Sequence, residues 1–246
     1  MPRVLPYAVL LVLFAAAFAG AYWMPEPIEK RGRLRLRPER PSVPAVARRP
    51  FLLAALAVLS SWSIGGLFLS LGPQLIANLF HTSDHLVAGI GVFALAGSGA
   101  LAQLLLGRAA PWAGAAGGSI ALATGLLVMV AGAAEESSAV FLAGAVIGGA
   151  GFGLAFLGAL RALSSVIPHE HRASVMSAFY VVAYASLSVP AVLAGVVVTH
   201  LGLQSTFETF GSIVAAIALI VSFEAWRTRP GQPAHRIKEN PSEAAA

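Results

Sequence analysis

Five polar side chains, Ser60, Ser63, Ser70, Gln74 and Asn78, recur at spacings of 3, 7, 4 and 4 within and just beyond an otherwise apolar run. At 100° per residue they form one narrow stripe on a helix. Such a stripe can supply hydrogen bonds to a polar or amphipathic solute. The alternative is packing, with serine hydroxyls bonding the carbonyls one turn back. A second stripe joins Ser177, Tyr180, Tyr184 and Ser188. Tyrosine rings stack on a solute while their hydroxyls bond it, or they pack inside a bundle.

The charged candidates are few. Arg161 and Glu208 are the residues available for charge coupling in the apolar stretches. Arg161 reads as a substrate counter-ion or as a side chain reaching the interface, and Glu208 as a proton site or an interfacial carboxylate. His81 and His85, with Asp84 between them, make a weak metal site. His169-Glu-His171 lacks the His-Glu-x-x-His spacing of zinc proteases. No metal site, cofactor or catalytic constellation of nucleophile, base and orienting group is expected. The glycines from Gly144 to Gly153 do not follow Gly-x-Gly-x-x-Gly. Gly144 with Gly148, and Gly149 with Gly153, instead follow the small-xxx-small rule of close helix packing.

What must position these residues is a set of seven apolar stretches, approximately Val4 to Met24, Phe51 to Leu71, Leu86 to Leu106, Trp112 to Ala134, Ala139 to Leu160, Val175 to Val198 and Ser205 to Phe223. Each can cross a hydrocarbon layer of about 30 Å as a helix. Lipid offers backbone amides no water, so each stretch must close its own hydrogen bonds. The fold class is therefore all-α, a multi-pass membrane protein of seven transmembrane helices. With 57% hydrophobic and 11% charged residues, the chain has too few charges to cover a globular surface.

Fifteen of the sixteen Lys and Arg residues fall in every second gap between these stretches, Arg3 being the exception. Basic residues in short loops stay on the cytoplasmic side. The N terminus is expected outside and the C terminus in the cytoplasm. A net charge of +5 is met by anionic lipid, so membrane lipid rather than nucleic acid is the expected partner. A competing reading of the first stretch is a signal peptide with Ala19-Gly20-Ala21 as a cleavage site. Its length and the Tyr22-Trp23 pair favour a membrane span.

The proline-rich segment 25–50 separates one helix from six. Its Arg31 to Arg37 run either lies on the lipid surface or is a solvated loop. The expected organisation is residues 1–24 as a single helix, 25–50 as a basic linker, 51–225 as a six-helix bundle and 226–246 as a tail. The acidic turn at Glu135 and Glu136 divides the six into two triplets of opposite orientation, an inverted repeat. Gly65-Gly66 and Gly72-Pro73 give the helix from Phe51 places to bend.

The segment Ile167-Pro-His-Glu-His-Arg-Ala-Ser-Val-Met-Ser-Ala-Phe-Tyr180, continuing to Ser188-Val-Pro-Ala-Val-Leu-Ala-Gly195, resembles the loop before the eleventh helix of major facilitator superfamily transporters and that helix itself. Gly107-Arg108 resembles a worn remnant of the family's loop motif between the eighth and ninth helices. The chain thus resembles the family's carboxy-terminal half, preceded by the last helix of the amino-terminal half. The resemblance implies a secondary transporter of a small-molecule solute, of drug or metabolite efflux type, with the helix from Phe51 lining a central cavity. It also implies a partial chain, completed by a separate amino-terminal half or by a homodimer. Neither helix expected to line the cavity carries an acidic residue, so the resemblance leaves proton coupling to the other half.

A seven-helix receptor shares this topology, and a non-transporting assembly subunit is a further alternative. A retinal-type receptor requires a lysine in a span, and the chain has only Lys30 and Lys238. The expected threading has a direct check. Reporter fusions after Arg35 and after Glu135 should report opposite sides of the membrane, Arg35 being cytoplasmic.

Overall fold

A computed structural model describes residues 4–24, 42–81 and 85–229. The basic run from Arg31 to Arg37, Asp84 and the tail cations Arg236 and Lys238 lie outside them. The chain divides into two units, Met1–Glu39 and Arg40–Ala246. The first contains α1, Leu5–Tyr22, which starts on a proline in its first turn where a missing N–H costs nothing. Its 18 residues reach about 27 Å.

The second unit is α2 (Arg48–Leu79), α3 (His85–Leu106), α4 (Pro111–Ala134), α5 (Ser138–Ser164), α6 (Arg172–Leu201) and α7 (Leu203–Arg227). No strand occurs among the described residues. These six helices are long and apolar enough to cross a membrane, while α1 is shorter. Together they give the seven-helix, all-α membrane architecture expected from the apolar stretches.

Several boundaries differ from the hydropathy reading. α2 begins at Arg48, preceded by a short 3-10 turn at Ala45–Ala47, and runs on to Leu79 rather than ending near Leu71. Its 32 residues extend about 48 Å against a core of about 30 Å. The excess lies in the headgroup regions, where a helix no longer needs apolar side chains. α5, α6 and α7 overrun their apolar stretches in the same way.

Helix pairing follows the order of two related triplets. α3 packs on α5 as α6 packs on α2, and α4 packs on α5 as α7 packs on α2. Exchanging the triplets exchanges these pairs. Between α6 and α7 a single residue turns the chain, Gly202, at φ 78°, where a side chain would be strained. Before α2, Ser42 is tied to the first turn of α6 through Ser174. The Ser42 amide donates to Ser174 Oγ at 3.0 Å, and that hydroxyl donates to the Ser42 carbonyl at 2.9 Å.

Lipid gives helices no hydrophobic reason to associate, so close approach of small residues must hold the bundle. α5 carries that approach on two sides. Toward α4, a Cβ on Gly144 would sit 2.6 Å from the Met129 nitrogen, and one on Gly151 would strike the Leu122 backbone. Toward α3, Cβ atoms on Gly149 and Gly153 would run into the Leu95 and Gly99 carbonyl oxygens. The spacing from Gly144 to Gly153 thus serves packing, as the small-xxx-small pattern predicts. Beside these contacts the core is filled by Phe68, Phe141 and Phe207, with centroids 6.0 and 5.6 Å apart along the row.

Gly125 of α4 lies where a Cβ would reach 2.8 Å from the Gly144 carbonyl oxygen, whereas nothing lies within 4 Å of one on Gly117. Gly125→Ala should destabilise the detergent-solubilised protein by about 1–3 kcal/mol. Gly117→Ala should be neutral or stabilise by up to about 1 kcal/mol. Thermal unfolding of the two variants side by side reads the difference.

Candidate functional site

The polar stripe on α2 does not survive as one face. Ser60 and Ser63 are fully buried, while Ser70, Gln74 and Asn78 are exposed. The Ser60 hydroxyl donates to the Ala57 carbonyl at 3.0 Å and that of Ser70 to the Leu67 carbonyl at 3.1 Å. Gln74 and Asn78 fall in the part of α2 that exceeds the hydrocarbon thickness, so their amides can meet headgroups and water.

Ser63 reaches a different helix and has a specific task. Pro190 interrupts α6 and cannot donate to the carbonyl of Ser186 four residues before it. The Ser63 hydroxyl donates to that carbonyl at 3.2 Å. In a membrane a carbonyl left alone is costly, so α2 supplies the bond that α6 lacks. The two helices touch closely here, since a Cβ on Gly66 would strike the Leu187 carbonyl oxygen.

Past this crossing, the far side of α2 opens into an apolar cleft of about 190 Å³. Trp62, Phe68 and Leu69 line it from α2, Leu95 from α3, Phe152 from α5 and Leu187 from α6. By helical period, Trp62 and Leu69 lie about 80–140° around α2 from Ser70 and Gln74. The structure therefore does not bring the polar stripe into the cleft. Pro73 frees the Leu69 carbonyl from its helical donor at the cleft's edge.

The tyrosines of α6 lie on the cleft side. Tyr184 meets Trp62 edge-on with centroids 5.6 Å apart, and Trp62 also contacts Phe156 at 5.5 Å. Tyr184 is 61% exposed and Tyr180 43%. Ser177 and Ser188 are exposed as well. Neither tyrosine hydroxyl is bonded among the described residues. Tyr184 and Trp62 each lie about 20 Å along their helices from the arginine-bearing ends at Arg172 and Arg48, near mid-depth. The Trp62 Nε1 proton is buried without an acceptor. A buried donor left unpaired costs about 1–3 kcal/mol.

The two charged candidates are engaged elsewhere. Arg161 donates to the carbonyls of Gly107 and Ala109, the latter at 2.9 Å, and so ties the loop after α3 to α5. Glu208 accepts from Gln204 Nε2 at 2.9 Å. No group of three or more metal-ligating side chains occurs among the described residues.

The family model of the Major Facilitator Superfamily matches residues 2–189, through α1, the linker and the bundle into α6. The chain belongs to the major facilitator superfamily. It is accordingly a multi-pass membrane protein of a transporter family. No curated protein and no solved structure matches it.

Sequence periodicity missed Trp62, Phe68 and Phe152, because a large apolar side chain in an apolar span carries no contrast. The pair of prolines past the α2–α6 crossing, Pro73 and Pro190, was the available pointer to this region.

Replacing Ser63 by Ala should cost about 1 kcal/mol, in line with interhelical hydrogen bonds in membranes. In a Pro190→Ala background, where residue 190 regains its N–H, the same replacement should cost close to nothing. A double-mutant cycle by denaturant titration in micelles measures the coupling.

Proposed function

We propose that this protein is a secondary transporter that exports a small, largely apolar or aromatic solute, with the cleft between α2, α3, α5 and α6 as its half of the pathway. One observation carries the reading. Tyr184, near mid-depth on a membrane helix, and Tyr180, about 6 Å nearer the Arg172 end, are exposed at the margin of an aromatic cleft with hydroxyls that no described residue bonds. Polar groups facing lipid at that depth are unfavourable, so this face meets a solute-filled pathway or another protein body.

A pathway between rocking bodies needs a second body across from α2 and α6. An amino-terminal bundle or a second copy of this chain supplies it in this reading. The family resemblance favours the amino-terminal bundle. Basic residues concentrate at the end of the bundle holding Arg48, Arg108, Arg161, Arg172 and Arg227, which the positive-inside rule assigns to the cytoplasm. The protein then sits in the cell membrane with its N terminus outside.

The cleft supplies aromatic stacking, the Trp62 N–H and the tyrosine hydroxyls, which together fit a ring-bearing solute with one or two hydrogen-bonding groups. Efflux of a fluorescent aromatic dye is the test, in cells expressing the chain together with any coding sequence in frame upstream. Trp62→Ala and Tyr184→Ala should each lower the rate about tenfold, a loss of about 1.4 kcal/mol of interaction, while Gln74→Ala and Ser70→Ala change it less than twofold. The reverse ranking would move the pathway from the cleft to the polar stripe.

A further inference from the structure

At the end of the bundle opposite the arginines lies a second pocket, of about 220 Å³, that the transport reading does not use. Asn78 and His81 line it from the end of α2, Glu136 from the turn between α4 and α5, and Gln204 from the start of α7. Leu75, Leu79 and Leu203 form its apolar part.

The pocket is rich in acceptors. Both amide protons of Gln204 are committed, one to the Ala133 carbonyl at 3.0 Å and one to Glu208 Oε1 at 2.9 Å. The Gln204 amide oxygen is thereby left to accept. Asn78 adds an amide oxygen and Glu136 a carboxylate. The C-terminal ends of α2 and α4 meet the N-terminal ends of α5 and α7 here, so the helix ends roughly cancel and the charge of the site comes from its side chains. Glu208 adds its charge behind Gln204.

The backbone holds two of the lining residues in a costly conformation. His81 and Glu136 have φ of 50° and 52°, the only non-glycine residues among those described with positive φ. At Glu136 the turn closes the end of α4 with bonds from the Glu136 amide to the Ala133 carbonyl and from the Ser137 amide to the Gly132 carbonyl. Glycine is the residue such a cap favours. A carboxylate in its place gives up backbone freedom for a charge at the pocket.

We infer that this pocket binds a small primary ammonium ion, with Glu136, Asn78 and the Gln204 amide oxygen accepting its three N–H bonds and the leucines covering a short alkyl tail. Three acceptors match the three donors of R–NH3+, and the volume suits a ligand well below drug size. The site is separate from the cleft at Trp62.

Saturation-transfer NMR on the purified full chain in detergent tests this with n-butylammonium, using 1-butanol and tetramethylammonium as controls of equal or similar apolar size. Butylammonium should bind saturably and the controls at least tenfold more weakly. Glu136→Gln should weaken binding at least tenfold, and so should Glu136→Gly, which relaxes the backbone and keeps the cap intact. Trp62→Ala should leave binding unchanged, so a failed transport reading and a failed ammonium site are told apart. Equal binding of butanol and butylammonium, or wild-type affinity in both Glu136 variants, would overturn the assignment.

Discussion

The second unit depends on α5 being narrow. Gly144, Gly151 and Gly158 admit the backbone of α4, and Gly149 and Gly153 admit that of α3, to distances no side chain would allow. In water such contact would be a small refinement on hydrophobic burial. In lipid it is the main source of association, because apolar side chains gain little by leaving apolar tails. Larger residues then occupy the spaces between helices. Phe68, Phe141 and Phe207 form one row, Trp62 and Phe152 line the cleft with Phe68, and Phe156 packs on Trp62.

The second constraint is the crossing of α2 and α6. Both helices run from the arginine-rich end and both carry a proline shortly past their contact, Pro73 and Pro190. A proline in a membrane helix leaves a carbonyl that something else must satisfy. At Ser186 that partner is Ser63, so a residue with the chemistry of a solute ligand is consumed by the fold. The tyrosines on the neighbouring face of α6 have no such engagement. This division between spent and unspent polar groups separates the cleft from the stripe, and it depends on the neighbouring helix rather than on α2 itself.

How much was legible follows from the same physics. The spans were readable because a hydrocarbon layer demands apolar stretches of a minimum length, and the glycine seam because small residues four apart have few other uses in a membrane. The division of the six helices into two triplets was an expectation from helix count, and the matching α3–α5 and α6–α2 pairings agree with it. The ends of α2 were not, since Arg48, Gln74 and Asn78 lie where headgroups relax the demand for apolar side chains. The stripe from Ser60 to Asn78 follows the helical period, yet periodicity cannot say which neighbour covers which part of it, and the fold buries Ser60 and Ser63 while exposing Ser70, Gln74 and Asn78. Arg161 and Glu208 stood out as charges in apolar runs, but their partners, two loop carbonyls and Gln204, are distant in sequence or carry no charge of their own.

Those partners share a pattern that bears on how the bundle can move. Ser63 of α2 bonds a carbonyl of α6, Arg161 of α5 bonds carbonyls after α3, and Gln204 of α7 bonds the last turn of α4. Each is a side chain on one helix bonded to backbone of another segment. Breaking the Ser63 bond would leave the Ser186 carbonyl unpaired where water is scarce, so sliding α2 past α6 is penalised at mid-depth. Helices joined in this way and seated on glycine contacts move together more easily than they move apart. That is the mechanical property alternating access asks of each moving body, which rocks while its interior stays fixed. The weakly buried helices α3 and α6 bound the cleft, and they are the places where such a body has surface to offer a partner.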